Sequence, residues 1–123
     1  MKAIVSDIHA NIAAWEAVKK DIKSHNITDI ISLGDLVGYG PEPIDVIDEA
    51  MDFRVNLMGN HDEAVVFEPV GFNYRALTAI RWTIGTGATI PVSQLRSVFN
   101  PAGSVPTSSS PTRSDGLSTQ FIY

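Results

Sequence analysis

The sequence predicts an α/β fold in which parallel strands alternate with helices. Short apolar runs at residues 3–5, 30–33 and 53–58 have the length of buried strands. The segments that follow the first two runs place apolar residues at intervals of three or four, which is the period of an amphipathic helix. Strands separated by helices are joined by crossover connections, and these connections produce a parallel sheet.

Three helices are predicted in the first part of the chain. The first begins after Asn11, a residue type favoured as an N-cap. The second begins near Pro43, which a first helical turn accepts, and the third runs from Tyr74 to Thr83. The apolar residues predicted to face the core are Ile12, Trp15, Val18, Ile22, Ile44, Ile47, Met51, Leu77 and Ile80.

The composition changes near Thr83 and divides the chain into two segments. Residues 1–83 carry the strand–helix pattern, whereas more than half of residues 83–123 are Gly, Pro, Ser or Thr. Ile90 and Val92 predict at most a brief strand there. We therefore expect residues 84–123 to form an atypical, low-complexity tail that is mostly disordered.

Composition also narrows the functional classes. The formal net charge is -5, which disfavours non-specific nucleic-acid binding and suits a site that gathers carboxylates around cations. The chain has no cysteine, so disulfides and thiol catalysis are excluded. The amino terminus does not fit a signal peptide and no apolar run approaches the length of a membrane span, so we expect a cytoplasmic protein. The sequence does not predict an oligomeric state.

Polar motifs follow each of the three predicted strands. Asp7, Asp35 and Asn60 stand just after these strands, with separations of 28 and 25 residues that match one strand–helix–strand repeat each. In a parallel sheet the carboxyl ends of all strands lie at one edge, where ligands bind. We therefore expect the three motifs to meet at that edge.

The first two motifs offer ligands for a divalent cation. Asp7 and His9 stand two apart, so an extended backbone would place both side chains on one side. Asp35 follows Gly34, and a carboxylate at such a turn can bridge two cations about 3.5–4 Å apart. Each motif alone also fits an ordinary turn or an Asp–His hydrogen bond. Their common order at strand ends favours the metal interpretation.

The third motif, Gly59-Asn60-His61-Asp62, is the most specific. The side-chain carbonyl of Asn60 can bind a metal, and His61 can then act on a substrate as a general acid or electrostatic stabiliser. Asp62 can orient His61 by accepting a hydrogen bond from its other ring nitrogen. The alternative is a loop with an asparagine cap and a surface histidine.

Together the three motifs resemble the signature of the calcineurin-like metallophosphoesterases, D-x-H, then G-D-x-x, then G-N-H-[DE]. The stretch Gly34-Asp35-Leu36-Val37-Gly38-Tyr39-Gly40-Pro41 is similar to the bacterial branch of small phosphatases and phosphodiesterases. The resemblance covers about residues 1–83. It implies the N-terminal part of a four-layer α/β/β/α sandwich.

The resemblance also implies the roles of individual residues. Asp7 and His9 would bind a first metal, Asp35 would bridge two metals, and Asn60 would bind the second. His61 would be the catalytic histidine beside the leaving group of a phosphomonoester or phosphodiester. In the family a metal-bridging hydroxide attacks phosphorus, and the metals are Mn²⁺, Fe, Zn²⁺, Ni²⁺ or Mg²⁺, among which this ligand set does not choose.

The chain departs from the family pattern in its histidines. The family uses further histidines downstream, but this chain has three in total, and none follows His61. His25 is expected at the surface, at the end of the first helix. Three functions therefore stay open: a metal-dependent phosphoesterase impaired by truncation, an inactive fragment or pseudoenzyme that binds at most one metal, and a non-catalytic nucleotide- or phosphate-binding module.

Overall fold

The computed structural model describes residues 1–85 and 92–99, and within these ranges strands alternate with helices. The elements in chain order are β1 (Lys2–Val5), α1 (Ile12–Ser24), β2 (Asp29–Ser32), α2 (Pro43–Ala50), β3 (Val55–Asn56), α3 (Asn60–Val66), α4 (Tyr74–Gly85) and α5 (Val92–Phe99). The predicted α/β class is confirmed. No helix in the described ranges is long and apolar enough to cross a membrane.

The strands form a parallel sheet in the order β1-β2-β3. The register places Ile4 of β1 beside Ile31 of β2, and Ile31 beside Val55 of β3. Strand β3 is shorter than the predicted 53–58. The chain is still turning at Phe53, whose N–H donates to the carbonyl of Ala50 and whose ring packs 5.0 Å from that of Trp15.

Helices α1 and α2 cover one face of the sheet. The side chain of Asn11 caps α1 as predicted and accepts a hydrogen bond from the N–H of Ala14 at 3.0 Å. Trp15 and Ile22 are buried, but Val18 is 45 % exposed, so its predicted place in the core was wrong. Trp15 and Ile22 lie seven residues apart on one stripe of the helix, and Val18 lies at the margin of that stripe.

In α2 the predicted inward position of Met51 was also wrong. Met51 follows the last residue of α2 and is 50 % exposed. The positions that face the core are occupied by Val46, Ile47 and Ala50, all essentially inaccessible to solvent. The buried stripe therefore keeps Ile47 but is rotated by about one residue from the predicted stripe, so that Val46 and Ala50 face the core and Met51 does not.

Helices pack on one face of the sheet, whereas the other face is exposed. Ala3, Val5 and Ile30 point toward the helices and pack against the buried core. The opposite face, which we call the open face, carries Ile4 and Val55, which are 66 % and 41 % exposed. Parallel sheets are normally covered on both faces, so this apolar surface is unusual.

The tail departs from its predicted character in the part that the structure describes. Val92 begins helix α5 and does not belong to a strand, which corrects that expectation. Leu95 and Val98 of α5 are buried, and α5 packs against α2, α3 and β3. Ile90 and residues 100–123 lie outside the described residues, so the domain boundary at residue 83 and the disorder of the tail stay predictions.

Candidate metal centre

The carboxyl edge of the sheet brings the first two motifs together. Asp7 follows β1 and Asp35 follows β2, as the sequence predicted. One ligand atom from each of Asp7, His9 and Asp35 lies within 4.8 Å of the other two. Ligands placed about 2.0–2.6 Å from one shared cation lie within such distances of each other. The three residues therefore fit a single divalent ion.

Backbone hydrogen bonds hold the loops after β1 and β2 against each other. The N–H of Asp7 donates to the carbonyl of Gly34 at 3.1 Å, and the N–H of His9 donates to the carbonyl of Asp35 at 2.9 Å. Asp7, His9 and Asp35 have φ values of 57°, 49° and 55°. The extended backbone expected at Asp7 and His9 was therefore wrong. Left-handed conformations of non-glycine residues are strained and cluster at functional sites.

The ring of His9 is oriented for metal binding. Its Nδ1 lies 3.0 Å from the carbonyl oxygen of Val37, which only accepts hydrogen bonds, so Nδ1 carries the proton. Nε2 of His9, which this contact leaves free, lies 3.5 Å from Oδ1 of Asp7. The two atoms are close enough to bind one divalent cation together. A histidine fixed through its other nitrogen is the usual arrangement for a metal ligand.

Asp62 is fully buried and joins the second and third motifs. Its carboxylate accepts hydrogen bonds from the N–H groups of Asp35, Leu36, Val37 and Gly59 at 2.8–3.1 Å. Burial raises the pKa of Asp62 to about 6, and the hydrogen bonds from these backbone groups oppose the rise.

This position corrects the predicted role of Asp62. Within the described residues the ring of His61 makes no hydrogen bond to Asp62, because backbone N–H groups occupy both carboxylate oxygens. Asp62 instead positions the backbone that carries Asp35. It therefore holds the loop that carries a candidate metal ligand and does not orient His61.

Glycine allows the second and third motifs to approach closely. A Cβ on Gly59 would lie 2.2 Å from Oδ1 of Asp35 and 2.4 Å from its backbone nitrogen. The same carboxylate oxygen accepts a hydrogen bond from the N–H of His61 at 2.9 Å. The loop after β3 is therefore held directly against Asp35, so the third motif also reaches the predicted edge.

Asn60 and His61 are the first residues of α3, a helix that the sequence pattern did not predict. Asn60 is half-buried, and its side chain makes no hydrogen bond to another described residue. Its place next to the His61–Asp35 contact is compatible with the predicted role of a second-metal ligand, which stays a prediction.

His61 lies inside a group of aromatic rings. Its ring centroid is 4.9 Å from that of His9, 4.6 Å from that of Tyr39 and 5.3 Å from that of Phe72. Burial lowers the pKa of His61, with His9 acting in the same direction and Asp35 and Asp7 opposing it. The imidazole is therefore neutral near pH 7. Its Nδ1 is buried without a partner among the described residues, which leaves Nε2 to face a ligand.

The sequence analysis did not identify Tyr39 and Phe72 as site residues. Tyr39 is 54 % exposed, has a φ of 62° and contacts the rings of both His9 and His61. Its place between Gly38 and Gly40, in a segment that follows Asp35, was the available signal. Phe72 lies eleven residues beyond His61, and no local pattern connects the two.

Comparisons with known proteins agree with this geometry. The sequence model of the calcineurin-like phosphoesterase family matches residues 3–114. The uncharacterised protein MJ0912 of Methanocaldococcus jannaschii is 41 % identical over 86 residues, which are 68 % of this chain and 35 % of that protein. The crystal structure of a metallophosphoesterase from Sphaerobacter thermophilus is 35 % identical, with a TM-score of 0.61 over 79 % of this chain and 39 % of that chain. This chain thus spans well under half the length of both relatives.

Proposed function

The chain belongs to the calcineurin-like phosphoesterase family, and from this premise we propose that it acts on phosphate esters with a divalent cation held by Asp7, His9 and Asp35. The observation that carries the proposal is the convergence of these three ligand groups at the carboxyl edge of the sheet. Two carboxylates and one imidazole suit Mn²⁺, Fe²⁺ or Zn²⁺, and they do not select among these ions. When bound, the cation supplies Lewis-acid stabilisation of the phosphate oxygens.

His61 would assist the departure of the leaving alcohol. Its ring is buried and neutral, so it can donate a hydrogen bond through Nε2 to the oxygen of the leaving alcohol and stabilise the charge that develops there. Its N–H bond to Oδ1 of Asp35 ties its position to the cation site. The walls formed by the rings of His9, Tyr39 and Phe72 exclude water from the covered side of the imidazole.

A second candidate is a protein that binds one cation and a phosphate ester with little turnover. It is favoured by the single three-residue ligand group in the described part of the chain. The two-metal chemistry implied by the family resemblance needs more ligands than this group and Asn60 supply.

Hydrolysis of p-nitrophenyl phosphate and its bis ester in Mn²⁺ tests the proposal. We expect activity that a chelator abolishes and that His61→Gln lowers by about 10²–10³-fold. His25→Gln is the matched control, because His25 is exposed at the end of α1, and it should leave the rate unchanged. A rate that survives chelation or His61→Gln contradicts the proposal. Binding of Mn²⁺ and phosphate without measurable hydrolysis favours the second candidate.

A further inference from the structure

The two histidines of the site are held in different ways. The ring of His9 is fixed by the contact of its Nδ1 with the carbonyl oxygen of Val37 at 3.0 Å. In the part of the chain that the structure describes, the ring of His61 makes no hydrogen bond at either nitrogen, although its Nδ1 is buried. Hydrogen bonds usually orient buried polar side chains. The orientation of the His61 ring must therefore come from packing.

The backbone of Gly38 closes the Nδ1 edge of the His61 ring. A Cβ on Gly38 would lie 2.5 Å from Nδ1 and 3.2 Å from Cγ of His61. Gly38 has a φ of 89°, a conformation that glycine adopts without strain. The missing side chain thus allows the chain after Asp35 to lie directly against the imidazole.

Three aromatic rings pack around the rest of the imidazole. The rings of His9 and Phe72 meet it edge to face, at interplanar angles of 77° and 81°. The ring of Tyr39 has the shortest centroid distance of the three, 4.6 Å, and is tilted by 44°. Aromatic pairs at these distances attract each other in specific geometries. If the His61 side chain left its rotamer, it would lose these contacts.

The backbone around Tyr39 is anchored on both sides. The N–H of Val37 donates to Oδ1 of Asp62 at 3.1 Å, and the N–H of Gly40 donates to the carbonyl of His9 at 3.0 Å. Tyr39 between them has a φ of 62°, which is strained for a residue with a side chain. The fold therefore accepts strain to hold this ring beside the two histidines.

We propose that Tyr39 is a positioning residue, whose ring keeps the imidazole of His61 in the rotamer that turns Nε2 toward the leaving alcohol. This inference rests on the proposed function for the part that His61 plays in turnover. The orientation of the ring itself can be measured without metal or substrate, so the two can be tested separately.

The first measurement follows the χ1 rotamer of His61 by NMR in the full chain without metal. The three-bond couplings from Cγ of His61 to its backbone nitrogen and carbonyl carbon report this rotamer, and the ring current of a neighbouring residue does not change them. The variants are Tyr39→Ala, Tyr39→Leu and Tyr39→Phe. Tyr74→Ala is the matched control, because Tyr74 begins α4 and is 83 % exposed. The amide signal of Gly59, which donates to Asp62, shows whether the loop stays intact.

We expect couplings of a single rotamer in the wild type, in Tyr39→Phe and in Tyr74→Ala. Tyr39→Ala should give couplings averaged over staggered rotamers, and Tyr39→Leu should lie between. Single-rotamer couplings in both Tyr39→Ala and Tyr39→Leu would overturn the proposal, and so would averaged couplings in Tyr74→Ala. If Tyr39→Ala loses the Gly59 signal, Tyr39→Leu decides between the same two results.

The second measurement compares hydrolysis of p-nitrophenyl phosphate with binding of Mn²⁺. We expect Tyr39→Ala to lower kcat by about three- to tenfold, because the rate follows the fraction of molecules in the productive rotamer. Tyr39→Phe should restore kcat. The affinity for Mn²⁺ should stay within about twofold, since the contact with Val37 still fixes His9.

The two measurements separate this inference from the proposed function. Equal losses of kcat and Mn²⁺ affinity in Tyr39→Ala would indicate a general loss of structure and would overturn the positioning role. A wild type that hydrolyses nothing contradicts the proposed function. A difference in the His61 couplings between Tyr39→Ala and Tyr39→Phe would still support Tyr39 as the residue that orients this ring.

Discussion

The carboxyl edge of the sheet and its open face are built from the same three strands, but the edge is closely packed and the open face is exposed. At the edge, loops from all three strands are held by hydrogen bonds to backbone groups, and a Cβ on Gly59 would overlap with Asp35. On the open face, Ile4 and Val55 touch little and stay exposed. Tight packing at the edge, where the backbone is strained, and the exposed side chains of the open face indicate that the edge holds the functional constraint.

The two regions differ because polar groups at the edge need hydrogen-bond partners, whereas apolar side chains on the open face do not. Buried N–H groups and carboxylates at the edge lose water, so each needs a partner in a fixed place. Exposed apolar side chains on the open face forgo only the stabilising free energy that burial would give them. A substitution at the edge should therefore cost far more than a substitution on the open face.

Asp62→Ala should produce the largest effect. It removes the acceptor for four backbone N–H groups, each of which costs about 1–3 kcal/mol when buried without a partner. We expect the free energy of unfolding in urea to fall by at least about 3 kcal/mol. Asp62→Asn keeps one acceptor oxygen and should lie between this value and the wild type.

Glu63→Ala is the control for Asp62→Ala, because Glu63 is the next residue of α3 and is exposed. We expect a change within about 0.5 kcal/mol. Equal losses for Asp62→Ala and Glu63→Ala would show that the edge is no more constrained than the surface.

Gly59→Ala should come second. The added methyl group overlaps with Asp35 and must push the loop after β3 outward, which costs about 1–3 kcal/mol. Gly85→Ala is the matched control, since a Cβ there meets none of the described residues within 4 Å, and alanine favours the helical conformation. Thermal unfolding of both variants measures the difference. A loss at Gly85 as large as that at Gly59 would contradict close packing at the edge.

Ile4→Thr should have the smallest effect. The side chain is 66 % exposed on the open face, so we expect the free energy of unfolding to change by less than about 1 kcal/mol. Self-association at high concentration should fall, because exposed apolar patches favour contacts between copies. Urea unfolding and sedimentation velocity measure the two quantities. A loss as large as that of Gly59→Ala would mean that the open face is packed.

The sequence predicted that the candidate ligand groups meet, because strand ends in a parallel sheet lie at one edge. That rule alone predicts that Asp7 and Asp35 lie close together, and the structure brings them together. The rule says nothing of backbone conformation, so the left-handed turns at Asp7 and His9 were missed. The rule also does not predict helix α3, although Asp62, which accepts a hydrogen bond from the N–H of Gly59, is typical of a helix start.

Other features depend on contacts between segments that are distant in the chain. The carboxylate of Asp62 bonds backbone groups 25–27 residues away, so no local pattern could separate it from a partner of His61. The approach of Phe72 to His61 follows from the path of the loop after α3. Helix α5 was not predicted because the surrounding sequence is rich in Gly, Pro, Ser and Thr, although Leu95 and Val98 stand at a helical spacing.

Titration of Mn²⁺ by calorimetry tests most directly whether Asp7, His9 and Asp35 hold a cation together. The account predicts one saturable site per chain, with Asp7→Asn and His9→Gln each weakening Mn²⁺ binding by at least about tenfold. Asp45→Asn, at an exposed position of α2, should bind Mn²⁺ like the wild type. Equal affinities for Asp7→Asn and the wild type would contradict a metal centre at this edge of the sheet.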